Sequence, residues 1–267
     1  MILFAILEGC WMMTNNLDYR ASILITISLI SVILMFFFPA IPQDRFYHEF
    51  ADQRELLGIK HFFNVVSNLP FILVGLVGIK TLFSVDRSKI VVVVLPSYIL
   101  FFSSVALVGF GSIYYHLDPN NRTLIWDRLP ITLAFMSFFS VIVGEYISEE
   151  VASKLLYPLL LTGLVSVFYW YYSELQGRGD LRLYGLVQFL PLLLMPLILV
   201  MYKPRFTHGR AYWFFLGLYG VAKTFEVADS PVYHWLYGIS GHTLKHLLAA
   251  LGCYVFLRQI AERQRLF

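Results

Sequence analysis

Long apolar runs and short polar breaks alternate along the chain. Eight runs are poor in charge and near the ~20 residues that a helix needs to cross a hydrocarbon layer. They cover 21–39, 61–83, 90–116, 125–146, 152–173, 183–202, 211–228 and 241–260. The intervals between them hold the Gly, Asn, Asp and Pro residues that stop helices. The run at 21–39 exceeds the roughly 7–15 apolar residues of a signal peptide, and no clear small-residue cleavage site follows it. It reads as a retained helix. The expected fold is all-α: a polytopic membrane protein with an N-terminal segment, 1–43, carrying an extra transmembrane helix, and a seven-transmembrane-helix domain over 44–267.

Composition agrees. Of 267 residues, 58% are hydrophobic and 14% charged, and the mean hydropathy is +0.70. Soluble domains carry about 25% charged residues, so this chain has too few to cover a surface facing water. The 24 Phe, 17 Tyr and 5 Trp suit a body in lipid with rings at its interfaces. A net charge of +3, scattered over the loops, lacks the concentrated basic face of a nucleic-acid binder. Cys10 and Cys253 form no disulfide framework and no CxxC metal pair. With eight spans, both termini and the loops near 86, 150 and 206 share one side, which holds ten Lys and Arg against six opposite. By the positive-inside rule both termini are expected in the cytoplasm.

Polar groups inside a bilayer are costly, so their positions carry information. Asn64, Ser67 and Asn68 start the second run, Ser112 and His116 close the third, and Asp127 and Arg128 open the fourth. Lys223, Glu226 and Asp229 end the seventh, and His242, Lys245 and His246 begin the eighth. Alternation alone brings all of these to one end of the bundle, opposite the termini. The other end shows no comparable group of histidines and acids.

His242 and His246 are four apart, which stacks them on one helix face. That spacing lets two imidazoles hold one metal. His116 could add a third ligand from another helix, and three neutral imidazoles plus water make a zinc site of the open, catalytic type. Zinc lowers the pKa of its water to about 7. Ser112, one turn from His116, could face the same cavity. Asp127 could take a proton from the water, orient a ligand imidazole, or both. Each feature also has a plainer reading. Two such histidines can bond loop carbonyls at an interface, and a serine usually bonds the carbonyl four residues back. Asp127 and Arg128 can be a helix-start carboxylate beside an interfacial cation. Lys223 and Glu226 read as a simple i, i+3 ion pair, and His48, His61, His208 and His234 as interfacial. Three His, one Ser and one Asp at one depth weigh more together than singly.

The block Phe-Phe-Asn-Val-Val-Ser-Asn-Leu-Pro-Phe at 62–71, Ser112-x3-His116, Asp127 eleven residues on, and His242-x3-His246 form an ordered set. In order, spacing and helix placement this set resembles the alkaline ceramidase family, part of a wider superfamily of seven-helix membrane hydrolases and adiponectin-receptor-like proteins. The resemblance covers about 44–262 and leaves the helix at 21–39 as an addition. It implies an intramembrane zinc amidase that cleaves the N-acyl bond of ceramide or a related N-acyl lipid. Zinc would be held by His116, His242 and His246, Ser112 would stabilise the oxyanion, and Asp127 would handle the proton of the attacking water. Eukaryotic members also bind calcium through an acidic N-terminal segment and a Glu where this chain has His61; of Glu49, Asp52 and Glu55, Asp52 is the remaining candidate ligand. Asn68-Leu69-Pro70 and the segment His116-Leu-Asp-Pro-Asn-Asn121 are more similar to prokaryotic relatives, which leaves another N-acyl lipid, or an ester, open as substrate. The rival reading is a receptor-like or scaffold protein with a structural metal and no turnover. A transporter would carry charge at mid-span in paired broken helices, unlike this one-ended grouping.

Overall fold

The computed structural model describes residues 18–267, so Cys10 and the rest of 1–17 lie outside the described residues. Regular structure there is helical, apart from isolated bridges between Leu56 and Ile59 and between Phe206 and Arg265. The α-helices are α1 (Tyr19–Phe37), α2 (Phe62–Val66), α3 (Leu69–Ser84), α4 (Leu95–Leu117) and α5 (Asn121–Tyr146). There follow α6 (Glu149–Leu175), α7 (Arg182–Met201), α8 (Arg210–Val227), α9 (Asp229–Trp235) and α10 (Gly241–Glu262). Among the described residues seven stretches are long and apolar enough to cross a membrane: α1, α2–α3 together, α4 with its lead-in, α5, α6, α7 and α10. The 18 residues of α8 include Arg210, Lys223 and Glu226, so it holds no charge-poor window of that length. It completes a seven-helix core to which α1 is added.

Two helices stand where the second apolar run predicts one. The chain breaks at Ser67 and Asn68, whose side chains donate to the Asn64 carbonyl at 3.2 and 2.7 Å. Such bonds compete with the helical ladder, and Pro70, in the first turn of α3, has no N–H to continue it. The short α9 is likewise unanticipated. Where α5 starts, Asn120 accepts from the backbone N–H of Arg122 and Thr123 in a capping box. Ser240 caps α10 by accepting from the Thr243 N–H at 3.0 Å. These caps set the register in which Asp127, His242 and His246 face inward.

Helices α3 to α7 pack in succession, α8 packs on α10, and α10 returns to α3. By contrast α7 and α8, neighbours in sequence, barely touch; Gln188 donates to the Tyr219 hydroxyl at 2.7 Å across the gap. Antiparallel to α7 lies α1: Arg20 donates to the Met201 carbonyl at one end, and Arg182 to the Phe38 carbonyl at the other. Mid-bundle, Phe138 packs on Phe101, Phe215 and Phe256 with ring centroids 5.1, 4.3 and 4.9 Å away. The end away from the histidines, where no comparable group of histidines and acids was expected, has a buried polar group of another kind. There Glu145 pairs with Arg263 at 2.7 Å, both within 1% of full burial, and accepts from Tyr98 and Tyr212.

Candidate metal centre

His116 lies in the last turn of α4, and His242 and His246 in the first two turns of α10. All three are buried. One nitrogen of each lies within 4.8 Å of the others, the one such group of three ligands among the described residues. Their ring centroids are 4.8–5.0 Å apart. The sequence-predicted triad is therefore brought together.

A neighbouring hydroxyl orients the His246 ring. His246 Nδ1 is 2.8 Å from Ser67 Oγ, and the Ser67 hydroxyl donates onward to the Asn64 carbonyl. The consistent arrangement has Nδ1–H donating to Ser67, which leaves the Nε2 lone pair for a ligand. His116 Nδ1 is buried with no partner, and its backbone carbonyl meets His61 Nδ1 at 3.0 Å. His61 adopts a left-handed φ of 49° to make that contact, strain of the sort held at functional sites. The His242 backbone N–H donates to Asp229 Oδ1 at 2.8 Å, while Oδ2 accepts from the Ala51 N–H. Lys245 Nζ lies 3.3 Å from His242 Nε2. An orphaned buried nitrogen is costly, and three buried imidazoles with one oriented from outside suit a cation such as zinc. The residues fit the metal.

Phe50 closes the centre from outside, its ring 4.6 Å from those of both His116 and His242. No periodic pattern marks its segment in the sequence, so nothing pointed to it. Asp229, read only as the end of a span, proves to tie that segment to α10.

The Ser112 side chain lies beside the Asp127 carboxylate at the α4–α5 contact. With His246 and Asn68 they line a cavity of about 390 Å³. Its deeper walls are apolar, including Phe101, Phe138 and Phe215. Lys223 and Glu226 pair as expected, but the pair is not simple. Glu226 also accepts from Lys245 at 2.8 Å, which links α8 to α10 in the cavity wall. His48, as expected, is no part of the triad: its nitrogens are each 2.9 Å from the Tyr115 hydroxyl and Asn121 Oδ1. Asp52 is fully buried, with both oxygens on the Arg54 guanidinium at 2.8 and 2.7 Å, and joins no cluster of three ligands among the described residues.

The protein-family model described as Ceramidase matches residues 58–262. The chain belongs to the ceramidase family. No curated protein matches it. The ceramidase match spans α2 to α10 and so contains Ser112, His116, Asp127, His242 and His246, whereas α1, Phe50 and Asp52 precede it. Ceramidase membership makes the chain a relative of hydrolases acting on lipid amides, and its apolar helices make it an integral, multi-pass membrane protein.

Proposed function

We propose that the chain is a zinc-dependent intramembrane amidohydrolase that cleaves the N-acyl bond of ceramide or a related N-acyl lipid. One observation carries this reading: three converging buried imidazoles, with Ser112 and Asp127 beside them in the wall of a largely apolar cavity. A purely structural scaffold has no need of a cavity of this size beside the imidazoles, whereas a lipid acyl chain does. The site faces the extracytoplasmic half of the membrane, and both termini are cytoplasmic, as the positive-inside count supports.

When held by His116, His242 and His246, zinc supplies Lewis acidity, which polarises the amide carbonyl and acidifies water to a pKa of about 7. Asp127 accepts the proton of the attacking water. In doing so it stops being an anionic acceptor, so the Ser112 O–H is released to turn toward the carbonyl oxygen just as charge develops there. Asp127 then delivers the proton to the leaving nitrogen, and water has been added across the C–N bond. Phe101, Phe138 and Phe215 hold the acyl chain and keep bulk water away. The weakly packed gap between α7 and α8 supplies sideways access from the leaflet. Asp52, paired with Arg54, has no part in these steps.

Metal analysis and amine release by the purified protein test the reading together. About one zinc per chain is expected; His242→Ala loses metal and turnover, and Ser112→Ala keeps the metal but loses roughly 10²–10³-fold in rate. Wild type without stoichiometric zinc, or without amine release above His246→Ala, overturns it.

A further inference from the structure

Arg128 follows Asp127 in α5 and lines the same cavity. It is only 4% exposed. Its Nη2 donates to Gln43 Oε1 at 2.6 Å, while Nε and Nη1 are buried with no hydrogen-bond partner. Among the described residues no carboxylate forms an ion pair with it. The guanidinium instead lies 4.0 Å from the Trp170 ring centroid, 4.6 Å from that of Tyr184 and 5.5 Å from that of Tyr47.

The other buried arginine shows what satisfying such a charge takes. Arg263 has Glu145 at 2.7 Å, and bonds the Tyr98 hydroxyl and the Lys89 carbonyl. Burying a guanidinium costs several kcal/mol even after relaxation, and cation–π contacts return about 2 kcal/mol when desolvated. Of the cavity's other charges, Lys223 and Lys245 both pair with Glu226, and the carboxylate of the preceding residue, Asp127, acts on Arg128 at a distance without forming an ion pair with it. Among the described residues Arg128 is the cation of this cavity with no carboxylate on its N–H donors. Its ring cage holds the guanidinium plane, and a planar fork of N–H donors is the group best suited to a carboxylate or phosphate.

We propose that Arg128 binds an oxyanion carried by the amine half of the substrate, so that the preferred N-acyl lipid bears a carboxylate or phosphate there. The choice of half rests on the amidohydrolase reading; the oxyanion site itself does not. Phe101 and Phe138 each lie eleven residues along their helices from Ser112 and Asp127, roughly 16 Å deeper in the bundle. The acyl chain takes that apolar depth. The amine half then falls at the Asp127 end, beside Arg128, Tyr47 and Tyr184.

The test uses the full-length protein in lipid nanodiscs and three lipids with one acyl chain: N-oleoylethanolamine, N-oleoylglycine and N-oleoyl-phosphoethanolamine. Binding and kcat/KM are measured for wild type, Arg128→Met and Arg128→Lys, with zinc content alongside. Wild type is expected to favour at least one anionic lipid about ten- to a hundredfold, the worth of a charge-assisted hydrogen bond, and the arm that wins separates carboxylate from phosphate. Arg128→Met brings that ratio near unity with zinc retained, and Arg128→Lys, charged but without the fork, falls between. A wild-type ratio near unity for both anions overturns the proposal, as does a preference that survives Arg128→Met. If Arg128→Met does not fold, an unchanged preference in Arg128→Lys overturns it equally. Selective binding without any hydrolysis would remove the amidase reading and keep the oxyanion site; hydrolysis without selectivity would do the reverse.

Discussion

His246 presents one nitrogen to the centre because the other is occupied. With the Ser67 proton given to the Asn64 carbonyl, Nδ1–H donating to Ser67 at 2.8 Å is favoured over the longer 3.3 Å approach of the Asn68 Nδ2 donor. His48 does comparable work on the cover of the site, joining its segment to Tyr115 and Asn121. An acceptor Nδ1 for the Tyr115 hydroxyl and a donor Nε2–H for Asn121 require the neutral ring. Burial holds the His48 pKa below its ordinary value of 6.5. The unfolded chain therefore binds the proton first, and stability rises with pH through this window. The contribution is complete above pH 6.5 and is lost as the pH falls through the lowered folded value. Thermal unfolding between pH 7 and pH 5 checks the sign: the advantage of wild type over His48→Ala should narrow as the solution is acidified. A gap that widens would mean that the protonated ring is the one the fold prefers.

At the level of helices, the site depends on how closely α4 and α5 approach. A Cβ at Gly111 would sit 1.9 Å from the Trp126 carbonyl oxygen and 3.3 Å from the Asp127 nitrogen. Ser112 follows Gly111 and Asp127 follows Trp126, so the missing side chain lets these two residues come together in the cavity wall. Gly111→Ala should cost about 1–3 kcal/mol by overpacking and lower turnover more than tenfold; His116 shares α4 with Gly111, so zinc content reports whether the shift also reaches the histidines. Gly217→Ala, with nothing within 4 Å, is the control expected to change neither. Unfolding and turnover measured on the same samples decide it; equal loss in both variants would sink the account. The spans themselves were legible because length and hydropathy determine them. The break between α2 and α3 was not, since it depends on where two polar side chains find a carbonyl. Phe50 was not legible either, because a cover segment has no period to read. The triad was, because α4 and α10 are uninterrupted helices whose alternation sends their polar ends to one face.

Across the whole molecule, two buried polar layers bracket an apolar middle, and only one of them was visible in the sequence. Histidines at helix ends announce themselves by type and spacing. Glu145 closes a long apolar run, and Arg263 follows the last span, so each alone resembles an interfacial charge. Folding brings them to 2.7 Å with both side chains sealed from solvent. Removing one partner of a buried pair leaves the other charged and unpaired, which costs about 3–5 kcal/mol, whereas replacing both can be neutral. Glu145→Leu should therefore lower the unfolding midpoint sharply, and Glu145→Leu with Arg263→Met should recover much of the loss. Glu145 lies eighteen residues along α5 from Asp127, roughly 27 Å away. Zinc content and turnover below the lowered midpoint should then stay near wild type. A double variant no more stable than Glu145→Leu would mean that the ion pair is not what Glu145 contributes. Loss of zinc in the folded single variant would mean that the two layers are coupled through the bundle, and the far end would then have to be counted as part of the site.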